Sequence, residues 1–128
     1  MNMATTIVLW VLRITGTIQI VLGLLFWTNN AFALLPVHIL SGFILVLALW
    51  TLAILAGLAG ASRGAVALAL VWGLVVPILG LTQSRLLPGS AHWVIEVLHL
   101  LVGLFAIGQG AGLARRIRQV RMPALQAS

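Results

Sequence analysis

The stretch LPVHILSGFILVLALWTLAILAGLA, residues 35–59, carries no charged side chain over its 25 positions. It is longer than the roughly 20 residues that an α-helix needs to cross the hydrocarbon core of a bilayer. Pro36 falls in its first turn, where the missing backbone N–H costs little. The stretch therefore predicts a transmembrane helix.

The composition of the whole chain agrees with a lipid environment. Of 128 residues, 62% are hydrophobic and only 6% are charged, and the mean hydropathy is +1.22. So few charges cannot cover the surface of a water-soluble protein. Cysteine is absent from the sequence, which excludes disulfides, iron–sulfur clusters and thiolate-bound metals from this chain.

Three further apolar segments are long enough to cross a bilayer, at residues 5–27, 65–81 and 91–114. The links between the four segments are short, so neighbouring helices must be antiparallel. The sequence therefore predicts an all-α fold, a four-helix transmembrane bundle with up-down topology. Residues 1–128 form a single integral membrane domain that ends in a basic tail, residues 115–128.

The positive charges predict how the bundle is oriented. All seven basic residues are arginines. Arg85 alone falls on one side of the up-down arrangement, and five others, Arg63, Arg115, Arg116, Arg118 and Arg121, fall on the opposite side. The positive-inside rule then places both termini in the cytoplasm, with a bacterial inner membrane as the expected location. Because topology and lipid headgroups account for these arginines, no basic face remains for nucleic acid.

The segment HWVIEVLHLL, residues 92–101, contains Glu96, the only acidic residue of the chain, and two of its three histidines. At about 100° per residue, His92, Glu96, His99 and Gly103 fall within roughly 60° of one helix face. An ionisable group that faces lipid costs at least a few kcal/mol. This stripe is therefore predicted to face the interior of the bundle.

The second segment repeats part of this pattern, because HILSGF (38–43) matches HLLVGL (99–104). In each, a glycine follows the histidine by one turn: Gly42 follows His38, and Gly103 follows His99. Upstream of both lie matching LLP and [VI]LGL motifs, at residues 34–36 and 86–88 and at residues 21–24 and 78–81. Two hairpins derived from one ancestral hairpin would make His38 and His99 equivalent about a pseudo-two-fold axis.

Two inward histidines on diagonally opposed helices can bind a b-type haem, with one imidazole on each face of the iron. Gly42 and Gly103 would then remove side chains that would collide with the macrocycle. Counted from the arginines, His38 lies 25 residues before Arg63 and His99 lies 16 before Arg115. With those arginines at one level, the two histidines would differ in depth by about 13 Å. His92 therefore remains an alternative partner for His38.

A single zinc or copper ion on His38, His92, Glu96 and His99 is the other metal site that the sequence allows. A two-metal site is excluded because the chain has only one carboxylate side chain. Arg13 lies deep in the first segment and requires a partner or a route to the membrane surface. A polar ligand could be that partner, so Arg13 is a candidate cofactor-binding residue. Gln19 is a second candidate, because it is expected near the depth of Glu96 and His99.

The stretch VLRITGTIQIVLGLLFW, residues 11–27, resembles the first membrane helix of the cytochrome b anchor subunits of succinate dehydrogenase. The shared pattern is R-x-[ST]-G, here Arg13, Thr15 and Gly16. The resemblance implies a quinone site lined by the arginine and the hydroxyl, although Leu12 stands where that family has a histidine. The same helix is similar to that of the DoxX-type small four-helix membrane proteins.

Three functions follow from these residues. The first is a haem b protein or subunit that passes electrons between a quinone and a larger membrane redox complex. The second is a cofactor-free accessory subunit of such a complex. The third is a transporter or proton pathway, which with four short helices would require a homo-oligomer. A hydrolase or transferase is disfavoured by the absence of aspartate, cysteine and any nucleophile beside a histidine, so an electron-transfer protein is favoured over a stand-alone enzyme.

Overall fold

The computed structural model describes residues 2–126, with side chains as far as Val120. Four α-helices follow one another along the chain: α1 (Met3–Trp27), α2 (Leu35–Leu58), α3 (Arg63–Thr82) and α4 (His92–Gln126). All four are long and apolar enough to cross a membrane. The predicted four-helix transmembrane bundle is therefore confirmed. Both termini and the link between α2 and α3 lie at one end, here called the termini end, and the other two links lie at the opposite end.

Local capping determines where the helices begin. The Asn2 side chain accepts a hydrogen bond of 2.9 Å from the backbone N–H of Thr5 at the start of α1. Ser62 accepts one of 3.3 Å from the N–H of Ala65 at the start of α3. Each cap satisfies a backbone donor that the first helical turn leaves free. Gly60 takes a φ of +90° just after α2, a conformation that favours glycine.

The apolar core occupies the half of the bundle nearest the termini. Both α2 and α4 contact every other helix, so the interior is built mainly between these two. Its fully buried members come from all four helices and include Leu12, Leu49, Leu52, Ala69, Ala106 and Ile117. The half at the opposite end has a looser interior, and both cavities of the bundle described below lie there.

Two tryptophans tie α3 to its neighbours. The indole Nε1 of Trp50 donates to the backbone carbonyl of Leu70 at 3.1 Å, and that of Trp72 donates to Val102 at 3.0 Å. In lipid, where apolar burial adds little to helix association, such interhelical hydrogen bonds and close packing stabilise the bundle. These two tryptophans therefore link helices through hydrogen bonds.

The fourth helix is longer than the predicted span of residues 91–114. It continues to Gln126, so the segment predicted as a basic tail is helical as far as it is described. Ile117 is buried in the core, whereas Arg115, Arg116 and Arg118 are exposed. Alternating burial keeps the helix amphipathic here and lets it extend about 14 Å past Ile117. The Arg121 side chain and residues 127–128 lie outside the described part of the chain.

Gln109 on α4 breaks the pattern of satisfied polar groups. Both of its side-chain amide atoms are buried and have no hydrogen-bond partner among the described residues. A buried polar group left unpaired costs about 1–3 kcal/mol. Gln109→Met, which keeps the shape and removes the polar atoms, is expected to raise the free energy of unfolding by about 1–2 kcal/mol.

Reversible unfolding of the detergent-solubilised protein would measure this change. Gln119→Met is the matched control, since Gln119 is exposed on the same helix and should leave stability unchanged. A Gln109→Met protein that is no more stable than the starting protein would show that the amide has a partner in the membrane.

Candidate functional site

The imidazole rings of His38 on α2 and His99 on α4 are edge-to-face neighbours in the half of the bundle opposite the termini. Their centroids are 6.3 Å apart and their planes meet at 62°. The depth difference inferred from the arginines is absent because those arginines do not share a level. Ring centroids 6.3 Å apart leave no room for a depth difference of that size. His99 is therefore level with His38.

Each histidine ring lies against a glycine of the preceding helix. A Cβ built on Gly23 of α1 would lie 4.0 Å from Cε1 of His38, and one on Gly80 of α3 would lie 2.9 Å from Cε1 of His99. Gly23 and Gly80 are the equivalent positions of the VLGL and ILGL motifs. The Nδ1 atoms of both histidines are buried and have no partner among the described residues, so packing holds the rings in place.

A cavity lies on each side of the histidine pair. The first, of about 110 Å³, is formed mainly between α1 and α4, and the second, of about 250 Å³, is formed mainly between α2 and α3. Six residues line both cavities: Gln19, His38, Gly42, Val76, Gln83 and His99. Because the two cavities share both histidines, they flank the space between the rings on opposite sides.

Gln19 anchors α1 to the start of α2 at this level. Its Nε2 donates to the backbone carbonyl of His38 at 2.5 Å and to Oγ of Ser41 at 2.7 Å. The amide lies over Gly42, where a Cβ would be 3.4 Å from Gln19 Oε1. Gly42 thus makes room for this glutamine, whereas the sequence suggested that it makes room for a macrocycle. A Cβ on Gly103 would meet nothing within 4 Å, so that position is open toward the first cavity.

Glu96 is among the residues that line the first cavity, as are both histidines and Gln19. Its side chain is half-buried, and it makes no hydrogen bond or ion pair within the described part of the chain. The structure therefore brings together six of the eight predicted site residues: Gln19, His38, Gly42, Glu96, His99 and Gly103.

Arg13 and His92 lie outside this cluster. The guanidinium of Arg13 is exposed on α1 and sits 5.4 Å from the ring centroid of Trp10, one turn nearer the termini end. Of the two possibilities for Arg13, a partner inside the bundle or a route to the membrane surface, the structure has the side chain turned outward along the helix surface. His92 begins α4, and its Nδ1 donates to the carbonyl of Leu86 at 3.1 Å, which holds its ring against the preceding link.

Several residues of the site escaped the sequence analysis. The sequence around Gln83 suggests a water-exposed link, yet Gln83 lines both cavities. It does so because a 3₁₀ turn continues directly from the end of α3. Ser41 has no sequence signal beyond its closeness to His38. Gly80 could have been found from the repeated LG motif, since its counterpart Gly23 occupies the same place against the other histidine.

The donor set suits a metal that brings its own equatorial ligands. No group of three or more potential metal-ligating side chains comes together within residues 2–126, so the four-residue zinc or copper site is not assembled. Two imidazoles bound to one metal at about 2.0 Å each would have ring centroids about 6 Å apart. The observed 6.3 Å matches that spacing. Two imidazoles are one of the axial ligand sets that can hold the iron of a planar macrocycle.

Comparisons with protein-family models, with curated proteins and with solved structures found no match to this chain. The resemblances of the first helix therefore stay predictions, and the site is interpreted from its own residues.

Proposed function

We propose that this protein is a membrane-embedded b-type haem protein of electron transfer, with His38 and His99 as the axial ligands. The observation that carries this proposal is the neighbouring pair of imidazoles, 6.3 Å apart at the same level of the bundle, with a cavity on either side. The sequence contains few other groups able to bind a redox centre, since it has no cysteine and one carboxylate side chain.

The positions of the cavities favour a flat ligand. A macrocycle bound between two axial imidazoles lies across the line that joins them, so it needs space on both sides of that line. The first cavity provides space toward α1 and α4, and the second provides it toward α2 and α3. Gly103 and Gly80 keep side chains out of these spaces. The Gln19 amide over Gly42 is the group that must move to admit the ring edge.

The residues around the pair favour electron transfer over oxygen chemistry. Haem iron supplies a reversible one-electron couple whose potential depends on its ligands and on the polarity around it. With both histidines bound, the chain leaves no open iron position for oxygen. Leu45, Val76 and Leu100 line the first cavity and help to keep water away from the rings. Ile39 and Phe43 border the second cavity and are 38% and 45% exposed, so a lipid-soluble quinone can approach from the bilayer.

The orientation of the bundle belongs to the same proposal. The exposed Arg115, Arg116 and Arg118, together with Arg63, support a cytoplasmic location for both termini under the positive-inside rule. In a bacterial inner membrane the histidine pair would then lie nearer the periplasmic surface, in the half of the bundle that contains the Trp27 and His92 helix ends.

A haem titration of the full chain in detergent tests the proposal. Added ferric haem b is expected to bind saturably, with one haem per chain, and to give a sharpened and red-shifted Soret band relative to haem in empty micelles. The Soret absorbance of bound haem should stop increasing once haem and protein are present in equal molar amounts. A spectrum that stays that of micelle-dissolved haem at every ratio would reject haem binding.

The second candidate is a cofactor-free accessory subunit of a larger membrane complex. The exposure of Arg13 favours it, because a guanidinium in the middle of a membrane helix is costly unless it reaches the surface or a partner. A colourless protein that co-purifies in fixed ratio with larger subunits, and that does not bind added haem, would favour this candidate over the first.

A further inference from the structure

We infer that Glu96 tunes the redox potential of the site, with its carboxylate favouring ferric over ferrous haem. This inference rests on the proposed haem site and goes beyond it, because it assigns a role to the only acidic side chain of the chain. The role is electrostatic and requires no bond between Glu96 and the iron.

The position of Glu96 is the first ground for this inference. It lies on α4 one turn before His99 and lines the first cavity together with both histidines. The charged form of a carboxylate is costly beside an apolar cavity unless something compensates it. A cationic occupant of the cavity would provide that compensation, and ferric iron in a dianionic macrocycle leaves the ring core with a net positive charge.

Among the side chains that the structure describes, none that lines the cavity with Glu96 is a lysine or an arginine. The polar residues that line the cavity from the other helices are Gln19 of α1, His38 of α2 and Gln83 after the end of α3. Both glutamines are neutral. On α4 itself, His99 lies one turn beyond Glu96, and His92 lies one turn before it with its ring held on the Leu86 carbonyl. The nearest arginine in sequence, Arg85, is exposed in the link, and Arg13 lies outside the cavity. The carboxylate thus acts on the occupant unscreened by any arginine that lines the cavity.

Reduction changes the charge that Glu96 faces. A haem held here would supply a one-electron couple: an external one-electron reductant would convert its ferric form to the ferrous form, whose ring core is neutral, and no bond of the protein would form or break. The attraction to the carboxylate is lost in that step, so a negative group near the iron opposes reduction. Burial strengthens this effect, because charges interact more strongly in a weakly polar interior than in water.

Potentiometric titration of the haem-loaded full chain, with dithionite as reductant and mediators at fixed pH, tests the inference. Glu96→Gln removes the charge and keeps the shape. It is expected to shift the ferrous-to-ferric ratio at a given potential at least tenfold toward ferrous, a rise in midpoint potential of about 59 mV. Glu96→Asp keeps the charge and is expected to stay close to the original potential. His92→Gln changes an ionisable residue outside the cavities and is the matched control.

A reciprocal variant keeps the test informative if Glu96→Gln folds poorly. Gln83 lines both cavities, so Gln83→Glu adds a second carboxylate beside the site and must lower the potential. Normal haem binding with equal potentials for Glu96→Gln and the original protein overturns the inference and leaves the haem site intact. Equal shifts in Glu96→Gln and Glu96→Asp also overturn it, because packing rather than charge would then be responsible. Failure of the original protein to bind haem would reject both proposals.

Discussion

Replacing either His38 or His99 by alanine is expected to remove one axial bond of the bound haem. If the proposed haem site is correct, ferric iron should change from six-coordinate low-spin to high-spin in both variants, because no third histidine lines either cavity. We expect the affinity for haem to fall at least about 100-fold, equivalent to about 2.7 kcal/mol of binding free energy. Absorption spectroscopy during a haem titration measures both effects.

His92→Ala is the control for these two variants. It removes the third histidine of the chain, whose ring is bound to the Leu86 carbonyl outside both cavities, and should leave the spectrum unchanged. Misfolding is not expected to imitate the result, since neither His38 Nδ1 nor His99 Nδ1 makes a hydrogen bond that the substitution would break. Unchanged helix content and elution volume would verify this. Low-spin haem retained in His99→Ala would show that His99 is not a ligand.

The second large effect is expected at Gly80. A methyl group there would lie 2.9 Å from Cε1 of His99, closer than side-chain atoms pack, so Gly80→Ala must turn or displace the imidazole. We expect haem affinity to fall at least about tenfold, or about 1.4 kcal/mol. The protein itself should stay folded, because alanine is a better helix former than glycine in the interior of α3.

Gly23→Ala is the matched control for Gly80→Ala. The two glycines occupy equivalent motif positions, yet a methyl group on Gly23 would lie 4.0 Å from His38 Cε1, an ordinary contact. Haem binding by Gly23→Ala should therefore match that of the original protein. Equal haem affinities for the original protein, Gly80→Ala and Gly23→Ala would mean that haem binding does not depend on the position of the His99 ring. The proposed ligand geometry would then be wrong.

The fold was predictable because hydropathy alone determines it. Four apolar runs separated by short links leave few arrangements other than an up-down bundle. The end of α4 was not predictable in the same way, because its basic segment reads as a boundary in a hydropathy profile. Ile117 shows why: a single buried residue among exposed arginines is enough for the helix to continue packing. Hydropathy reports where lipid contact ends, not where the helix ends.

The site was predictable in its ionisable residues and not in their partners. The high cost of placing His38, His99 and Glu96 against lipid directs all three inward, and the structure places them along one interior cavity. The same argument does not direct Arg13 inward, because a long flexible side chain can leave the interior without its helix moving. Depth counted from flanking arginines was also misleading, since α2 ends at Leu58 whereas α4 continues to Gln126, well past Arg115.

The hairpin repeat gains support from these packing details. Gly23 against His38 and Gly80 against His99 place the same pair of residue types in each hairpin. The repeat is broken four residues before each glycine. Gln19 precedes Gly23 in the first hairpin, whereas Val76 precedes Gly80 in the second, and both residues line the two cavities. A common ancestral hairpin would explain the match. The difference gives the first hairpin a polar residue at this position and the second hairpin an apolar one.

The central claim is that His38 and His99 bind the same iron from opposite faces. Electron paramagnetic resonance of the ferric, haem-loaded full chain at low temperature tests it most directly, because the signal reports the axial ligands of the iron. We predict a low-spin spectrum typical of two imidazole ligands, replaced by a high-spin signal in both His38→Ala and His99→Ala. A high-spin signal in the original protein, or a low-spin signal that survives either substitution, would contradict the claim.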